Sequence, residues 1–344
     1  MHLEPILSPF IAYEGRWAMV KRGGHPLLLL PASRVAARRT LDLFQPQRAK
    51  ARAVVAGIAA ASSLGLHRLL FQSVRYFGGQ VTLDPPLPRI HPGTCGFLFG
   101  SPDHEIQRAI ACYETPDGWE VAKVAFGDAG ARMLDREADA LREIGPMTTA
   151  APPLLGLHRG EDTTVLRMPY LSGDKIRPGE SWDMVGMLKS WVSNQASKSI
   201  ESFPEWPAII RALETTPEGG SALKRLTGKT LIPGIRHGDF TRWNVLRKPT
   251  GEMVVIDWEW GQTQGMPGID LVHYLAQDAR LVRRLPPQQV LEETRHGLMD
   301  PDVMAYLNDC GWGDDLDALI VAAIAYPVGA NHQKNAEVLR EAIG

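Results

Sequence analysis

The sequence is short of cysteine, of long apolar runs and of repeated or low-complexity stretches, and each shortage closes a class of answer. Its three cysteines (Cys95, Cys112 and Cys310) form no CxxC pair and no ligand cluster, so they read as reduced thiols in a reducing compartment. The first residues, Met-His-Leu-Glu-Pro, lack a basic stretch followed by an apolar core, which argues against a secretory signal. The most apolar run, from Ala53 to Leu66, is about 14 residues, short of the ~20 that cross a bilayer, and suits a buried helix better. A cytoplasmic location is the expectation. What is present is ordinary for a globular enzyme: 344 residues, 44% hydrophobic and 22% charged, enough for two or three folding units with a core in each.

The net charge of −2 hides an asymmetry. Residues 1–84 carry eleven Lys/Arg against four acids, a net +7, and the remainder is −9. Such an imbalance predicts separate units, the basic one facing an anionic partner or simply attracting the acidic remainder. No nucleic-acid partner is expected, and the sequence leaves the oligomeric state open.

Composition divides the chain further. Arg16–Val20 and Leu27–Leu30 flank Arg22-Gly23-Gly24-His25 as a hairpin would. Ser33 caps a predicted helix running to Phe44, and a second helix is predicted over Gln47–Phe71, after Pro46. Asp84-Pro85-Pro86-Leu87-Pro88 reads as a stiff linker, because proline opposes both helix and interior strand. The expected domains are therefore a small α/β unit over 1–84, a linker over 85–88, and the rest. Beyond it, strands are predicted at Gly96–Gly100, Gln107–Glu114 and Trp119–Phe126, the last two joined by Thr115-Pro116-Asp117-Gly118. A helix over Ala129–Ile144 and strands near Leu154–His158 and Thr163–Met168 follow. From Trp182 the pattern is mostly helical.

The segment that carries chemistry is His237-Gly238-Asp239-Phe240-Thr241-Arg242-Trp243-Asn244, followed by Met253-Val254-Val255-Ile256-Asp257. Phosphoryl transfer from a nucleotide needs a carboxylate to orient and deprotonate the acceptor hydroxyl, and oxygen ligands for Mg²⁺ on the phosphates. His-x-Asp-x-x-x-x-Asn offers the first at Asp239 and a metal ligand at Asn244. Asp257, at the end of a buried apolar strand, offers a harder, charged ligand. The competing reading is a loop with an Asx-turn Asp and a strand-capping Asp.

These residues, with Val245-Leu246 and Trp258-Glu259, resemble the signature of the aminoglycoside phosphotransferase and choline kinase superfamily. Gly268-Ile269-Asp270-Leu271 resembles its downstream Asp-Leu element, and the likeness covers about residues 90–330. It implies an α+β, bilobal, protein-kinase-like fold: a small antiparallel-sheet N-lobe (89–170) and a mostly helical C-lobe (171–344). It also implies ATP or GTP with Mg²⁺ as cofactors, Asp239 as catalytic base, and Asn244 and Asp257 as metal ligands. Glu259 would be a direct or outer metal ligand, and Asp270 would anchor the catalytic loop. Relatives often have proline where this chain has Arg242, a departure read as exposed-loop chemistry. The resemblance leaves residues 1–84 unexplained.

A kinase-like N-lobe requires a lysine on its third strand paired with a glutamate on the next helix. Alternation puts Lys123 among Trp119, Val121 and Ala125 on one strand face. Helical spacing puts Glu137 inside the stripe Met133, Leu134, Ala138, Ala140, Leu141 and Ile144. Each charge is misplaced locally, and pairing accounts for both. Gly100 and Ser101 stand where a phosphate-covering loop would be, although an ordinary hairpin loop fits as well. The segment Arg167–Gly173, with Met168 and Tyr170, resembles the connection whose backbone binds adenine.

Extended geometry over Asp257-Trp258-Glu259-Trp260 would put the two acids on one side and the tryptophans on the other. Either tryptophan would then be core packing or a ring face for a cationic acceptor. The leading expectation is an ATP-dependent phosphotransferase acting on a small-molecule hydroxyl that is choline-, aminoglycoside- or sugar-like. A second is a catalytically silent kinase-like module that binds nucleotide or a partner. A third places the basic segment on an anionic membrane surface or lipid-linked substrate.

Overall fold

Two glycines set the first reversal of the chain. Gly23 and Gly24 have φ of 59° and 85°, the conformation a tight hairpin needs, and they join β1 (Gly15–Arg22) to β2 (His25–Leu30). The computed structural model describes residues 3–44, 46, 49–79, 81–88, 90–100, 108–177, 180, 183–329 and 336–343. The chain divides into two compact units, Met1–Arg142 with Pro152–Ser172, and Glu143–Ala151 with Gly173–Gly344.

The first unit opens with the short helix α1 (Glu4–Leu7), then β1 and β2. Helix α2 (Arg34–Leu43) follows, started by Ser33, whose hydroxyl accepts the Ala36 N–H, a normal N-cap. Next come α3 (Ala49–Ser63), α4 (His67–Leu70) and β3 (Gln72–Tyr76). Beyond them lie β4 (Cys95–Phe99), β5 (Arg108–Thr115), β6 (Gly118–Phe126), α5 (Gly127–Ile144), β7 (Gly156–Arg159) and β8 (Thr163–Pro169). Every strand pairs antiparallel in one eight-stranded sheet, ordered β3-β1-β2-β4-β5-β6-β8-β7.

Directly opposed residues share a sheet face, so the register sorts the core into two layers. Trp17, Leu29, Phe97, Ala111 and Ala122 lie on one face, under Ile6 and Leu7 of α1 and the following Phe10 and Ile11. Ala18, Val20, Leu28 and Leu30 lie on the other, under Ala37 and Leu41 of α2 and Ile58 and Ala59 of α3. Helix α2 rides close to β4: a Cβ on Gly96 would stand 2.0 Å from the Thr40 Oγ1.

Three expectations are corrected. Residues 1–84 are not a separate domain; β2 pairs with β4 (Leu28 opposite Leu98, Leu29 opposite Phe97), so they extend the same sheet. The stretch 85–88 is no free linker either, because Asp84 is bridged to Arg159 and the Pro85 carbonyl meets His158 Nδ1 at 2.6 Å. The single helix expected over 47–71 breaks into α3 and α4.

The second unit is mainly helical. Its elements are β9 (Asp174–Lys175), α6 (Met184–Ser190), β10 (Lys198–Ser199), α7 (Trp206–Glu214), α8 (Gly219–Leu226) and β11 (Thr230–Leu231). After these come β12 (Gly234–Arg236), β13 (Val245–Arg247), β14 (Met253–Val255), β15 (Gln262–Gly265) and α9 (Ile269–Gln277). The chain closes with α10 (Pro287–Leu298), α11 (Pro301–Asp309), α12 (Leu316–Gly329) and α13 (Ala336–Ile343). The β12–β15 and β13–β14 pairs frame the loop at 237–244.

Candidate active site

The loop is held from below by α9. Asp270, in the first turn of that helix, accepts the His237 N–H at 2.5 Å and the Gly238 N–H at 2.9 Å. One buried carboxylate thus satisfies two loop amides that would otherwise be stranded away from water. Gly238 is required here. Its φ is 87°, and a Cβ would stand 2.5 Å from Trp260 Cβ and 2.8 Å from the Trp260 carbonyl.

His237 is fully buried and works as a strut. Its Nδ1 accepts the Asp239 N–H at 3.2 Å, which leaves the proton on Nε2 to reach the Ile256 carbonyl at 3.0 Å. Burial pushes its pKa below the ordinary imidazole value, against the pull of Asp270, Asp239 and Asp257. The ring is therefore neutral at pH 7 and locks the loop to the strand that ends at Asp257.

Asp239 is the open member of the group, its side chain 40% exposed. Asn244 Nδ2 donates to its Oδ2 at 3.1 Å and to its backbone carbonyl at 2.9 Å. His273 Nε2 stands 3.1 Å from its Oδ1. Both oxygens are thus oriented while the carboxylate stays accessible. The β13–β14 hairpin sets Val245 opposite Val255, and the Ile256 N–H donates to the Asn244 carbonyl at 2.9 Å. That bond brings Asn244 and the strand leading to Asp257 side by side. Asp257 has φ 74°, a left-handed conformation that Asp tolerates better than most residues.

The structure alters two expectations in this unit, the extended chain past Asp257 and the exposure of Arg242, and decides between the two readings of Trp258. The chain does not stay extended past Asp257: Glu259 and Trp260 lie in a turn closed by Gly261 N–H to the Trp258 carbonyl at 2.9 Å. Alternation therefore no longer puts Glu259 on the side of Asp257. Trp258 is core, fully buried, its Nε1 donating to the Val255 carbonyl at 2.7 Å and its ring 4.6 Å from that of His237. No face of it is open to an acceptor. Arg242, expected in an exposed loop, is buried and ion-paired with Asp278.

In the first unit, Lys123 Nζ lies 2.6 Å from both carboxylate oxygens of Glu137. The lysine side chain is 16% exposed and the glutamate 1%, so the pair keeps its charges in a nearly dry place, where losing one partner costs about 3–5 kcal/mol. Met168 is buried in β8, opposite Val121. Tyr170 donates its N–H to the Trp119 carbonyl at 2.8 Å, and its ring lies 4.8 Å under the Arg39 guanidinium, which also caps Trp119 at 4.6 Å. Its hydroxyl bonds Asp42. The tyrosine ring is thus engaged by α2. Gly100 closes the β4–β5 pair through its N–H to the Arg108 carbonyl at 3.0 Å. Ser101 lies outside the described residues.

Two features escaped the sequence reading. One is His273, although a signal was available: it sits one turn after Asp270 on the helix face that meets the loop. The other is the buried pair Arg236–Glu205, 2.6 Å apart, with the arginine 4.7 Å over the Tyr326 ring. It braces the strand that enters the loop.

No protein-family model matches the chain, and no curated protein matches it. Among solved structures it is similar to an ethanolamine kinase from Plasmodium vivax, at 7% identity and a TM-score of 0.44, covering 72% of this chain and 80% of that one. It is also similar to an aminoglycoside phosphotransferase from Streptomyces rimosus in complex with ADP and streptomycin, at 14% identity and a TM-score of 0.41, covering 68% and 91%. A choline kinase from Cryptosporidium parvum is similar at 9% identity and a TM-score of 0.40, covering 74% and 87%. Phosphotransferases of the kind the motif resembles are thus among its structural neighbours.

Proposed function

We propose that the chain moves the terminal phosphoryl group of ATP or GTP to a hydroxyl of a small molecule, one that is choline-, aminoglycoside- or sugar-like. The reading rests chiefly on Asp239, a half-open carboxylate whose two oxygens are oriented by Asn244 and His273 on a loop pinned by Asp270. Asp239 would accept the hydroxyl proton as that oxygen bonds to the γ-phosphorus. The bond from the γ-phosphorus to the β,γ-bridging oxygen breaks, and the nucleoside diphosphate leaves with that oxygen.

The donor set fits Mg²⁺. With Nδ2 turned to Asp239, Asn244 offers its Oδ1, and Asp257 offers a carboxylate at the end of the paired strand; hard oxygens of this kind suit the ion. Among the described residues no group of three or more His, Cys, Asp or Glu forms a metal cage, so phosphate oxygens would supply much of the coordination. When bound, the ion would neutralise charge on the transferring phosphate. Lys123, held by Glu137, is the cation for the α- and β-phosphates.

The silent-module reading draws support from Tyr170, whose backbone N–H is taken up by the Trp119 carbonyl at 2.8 Å. Thermal shift with Mg²⁺-ATP, followed by ATP consumption across an acceptor panel, separates the two. Nucleotide at 100 times its Kd stabilises by ~2.7 kcal/mol; a shift without turnover supports the silent module, and the absence of both shift and turnover sinks the enzyme reading. Asp239→Asn is expected to lower turnover by about 10²–10⁴-fold, the range of general-base catalysis, with the nucleotide-induced shift retained.

A further inference from the structure

Between residues 43 and 83 the sequence has no acidic residue and five cationic ones, Arg48, Lys50, Arg52, Arg68 and Arg75. The same stretch holds an unusual share of exposed large apolar side chains: Val54 at 56%, Leu64 at 66%, Leu69 at 82%, Leu70 at 64% and Phe77 at 75%. Scattered apolar residues on a surface need no explanation, but a contiguous set beside cations marks an interaction surface.

Strand register locates the β3 member of this set, Arg75. In β3, Ser73 opposes Ala18 and Arg75 opposes Arg16, so both belong to the face that α3 covers through Ile58 and Ala59. Helix α3 therefore lies over the same face to which Arg75 belongs. β3 is also the sheet's edge strand. Between α2 and α3 lies a crevice of about 420 Å³, lined by Leu41, Val55 and Ala59 together with Arg38, Arg52 and Asp42, the last ion-paired with Arg38.

We infer that the α3–α4–β3 face docks on an anionic phospholipid bilayer surface. Charge complementarity selects this occupant: α3, α4 and β3 carry four cations, Lys50, Arg52, Arg68 and Arg75, with no acid between them in the sequence, and these match a surface of fixed negative sign, each contributing ~1 kcal/mol near it. The exposed leucines and the phenylalanine match its apolar boundary, while the long arginine stems reach back to the headgroups. Contact is at the surface, since no helix among the described residues is long and apolar enough to cross a membrane. The proposal does not depend on the phosphotransferase reading.

Flotation of the full chain with phosphatidylcholine vesicles, with and without phosphatidylserine, tests it. Binding is expected only with phosphatidylserine, and is expected to weaken at about 1 M salt, where the Debye length falls to about 3 Å. Arg68→Gln with Arg75→Gln lowers the partition coefficient roughly thirtyfold, two contributions of ~1 kcal/mol each. Leu69→Ser with Leu70→Ser also lowers it, while the melting temperature stays near wild type because both positions are exposed. No flotation with either vesicle overturns the inference, as does equal binding to both, or an arginine pair variant that binds like wild type. Light scattering that shows a dimer, dissolved by the leucine variant, overturns it in favour of a second copy of the chain.

Discussion

At Asp239 the two oxygens have different keepers, and the difference is testable. Asn244 is fixed twice, by its bonds to Asp239 and by the backbone pairing of its own carbonyl to Ile256. His273 holds the other oxygen through one side-chain contact of 3.1 Å. His273→Ala should therefore leave the fold and the nucleotide-induced thermal shift intact. It should lower kcat about 10-fold or more, the loss of one hydrogen bond to a charged group, with little change in KM for nucleotide. His273→Gln, which can still donate, should restore part of kcat; unchanged kcat in the alanine variant would remove the histidine from the mechanism. Most of this loop's arrangement is legible in the sequence, because the spacing of His237, Asp239, Asn244 and Asp257 suffices to expect the loop and the paired strand that the structure sets side by side. The extended geometry expected over 257–260 is misread because alternation holds only for extended chain, and Asp257 at φ 74° ends the extension. Arg242 is misread for another reason: its partner Asp278 lies 36 positions away, beyond any local pattern.

Among the elements, the pair Lys123–Glu137 shows when local pattern suffices. Strand parity and helix periodicity each flag a charge on an apolar face, and only pairing reconciles them; the 2.6 Å contact is the result. Helix α2 shows the opposite. Ser33 as its cap is legible, but its seat is not, since that depends on the missing side chain at Gly96 in a strand some sixty residues on. Thr40 Oγ1 occupies the place a Cβ would take, 2.0 Å away, with Pro31 Cδ at 2.9 Å. Gly96→Val should accordingly lift α2 from the sheet and destabilise the first unit by about 1–3 kcal/mol, the usual cost of overpacking. Urea unfolding followed by tryptophan fluorescence would report it. A valine variant as stable as wild type would mean that α2 adjusts freely and that the close approach carries no energetic weight.

For the whole chain, the instructive error is the boundary near residue 84. Proline content and the charge contrast suggested a detachable domain, and both are properties of local sequence. Strand pairing is not: β2 meets β4 across more than sixty residues, and the hydrophobic layers continue unbroken from Trp17 through Phe97 to Ala122. The two pictures differ sharply for a truncated chain. A separate domain could be cut away and leave residues 85–344 folded. In the observed sheet, the cut exposes the long edge of β4 and strips Phe97, Phe99 and Tyr113 of Ile6, Leu7, Phe10, Ile11 and Trp17, which cluster with them in one core. An open apolar edge strand is a template for aggregation, and each large side chain uncovered forfeits about 1.5–3 kcal/mol. Three such losses are comparable to the 5–15 kcal/mol that a whole fold commands. Residues 85–344 expressed alone should therefore be insoluble or bind hydrophobic dyes, with recovery when residues 1–84 are supplied on the same chain. A monomeric 85–344 fragment, melting as cooperatively and as high as the full chain, would restore the two-domain picture and make the β2–β4 pairing incidental.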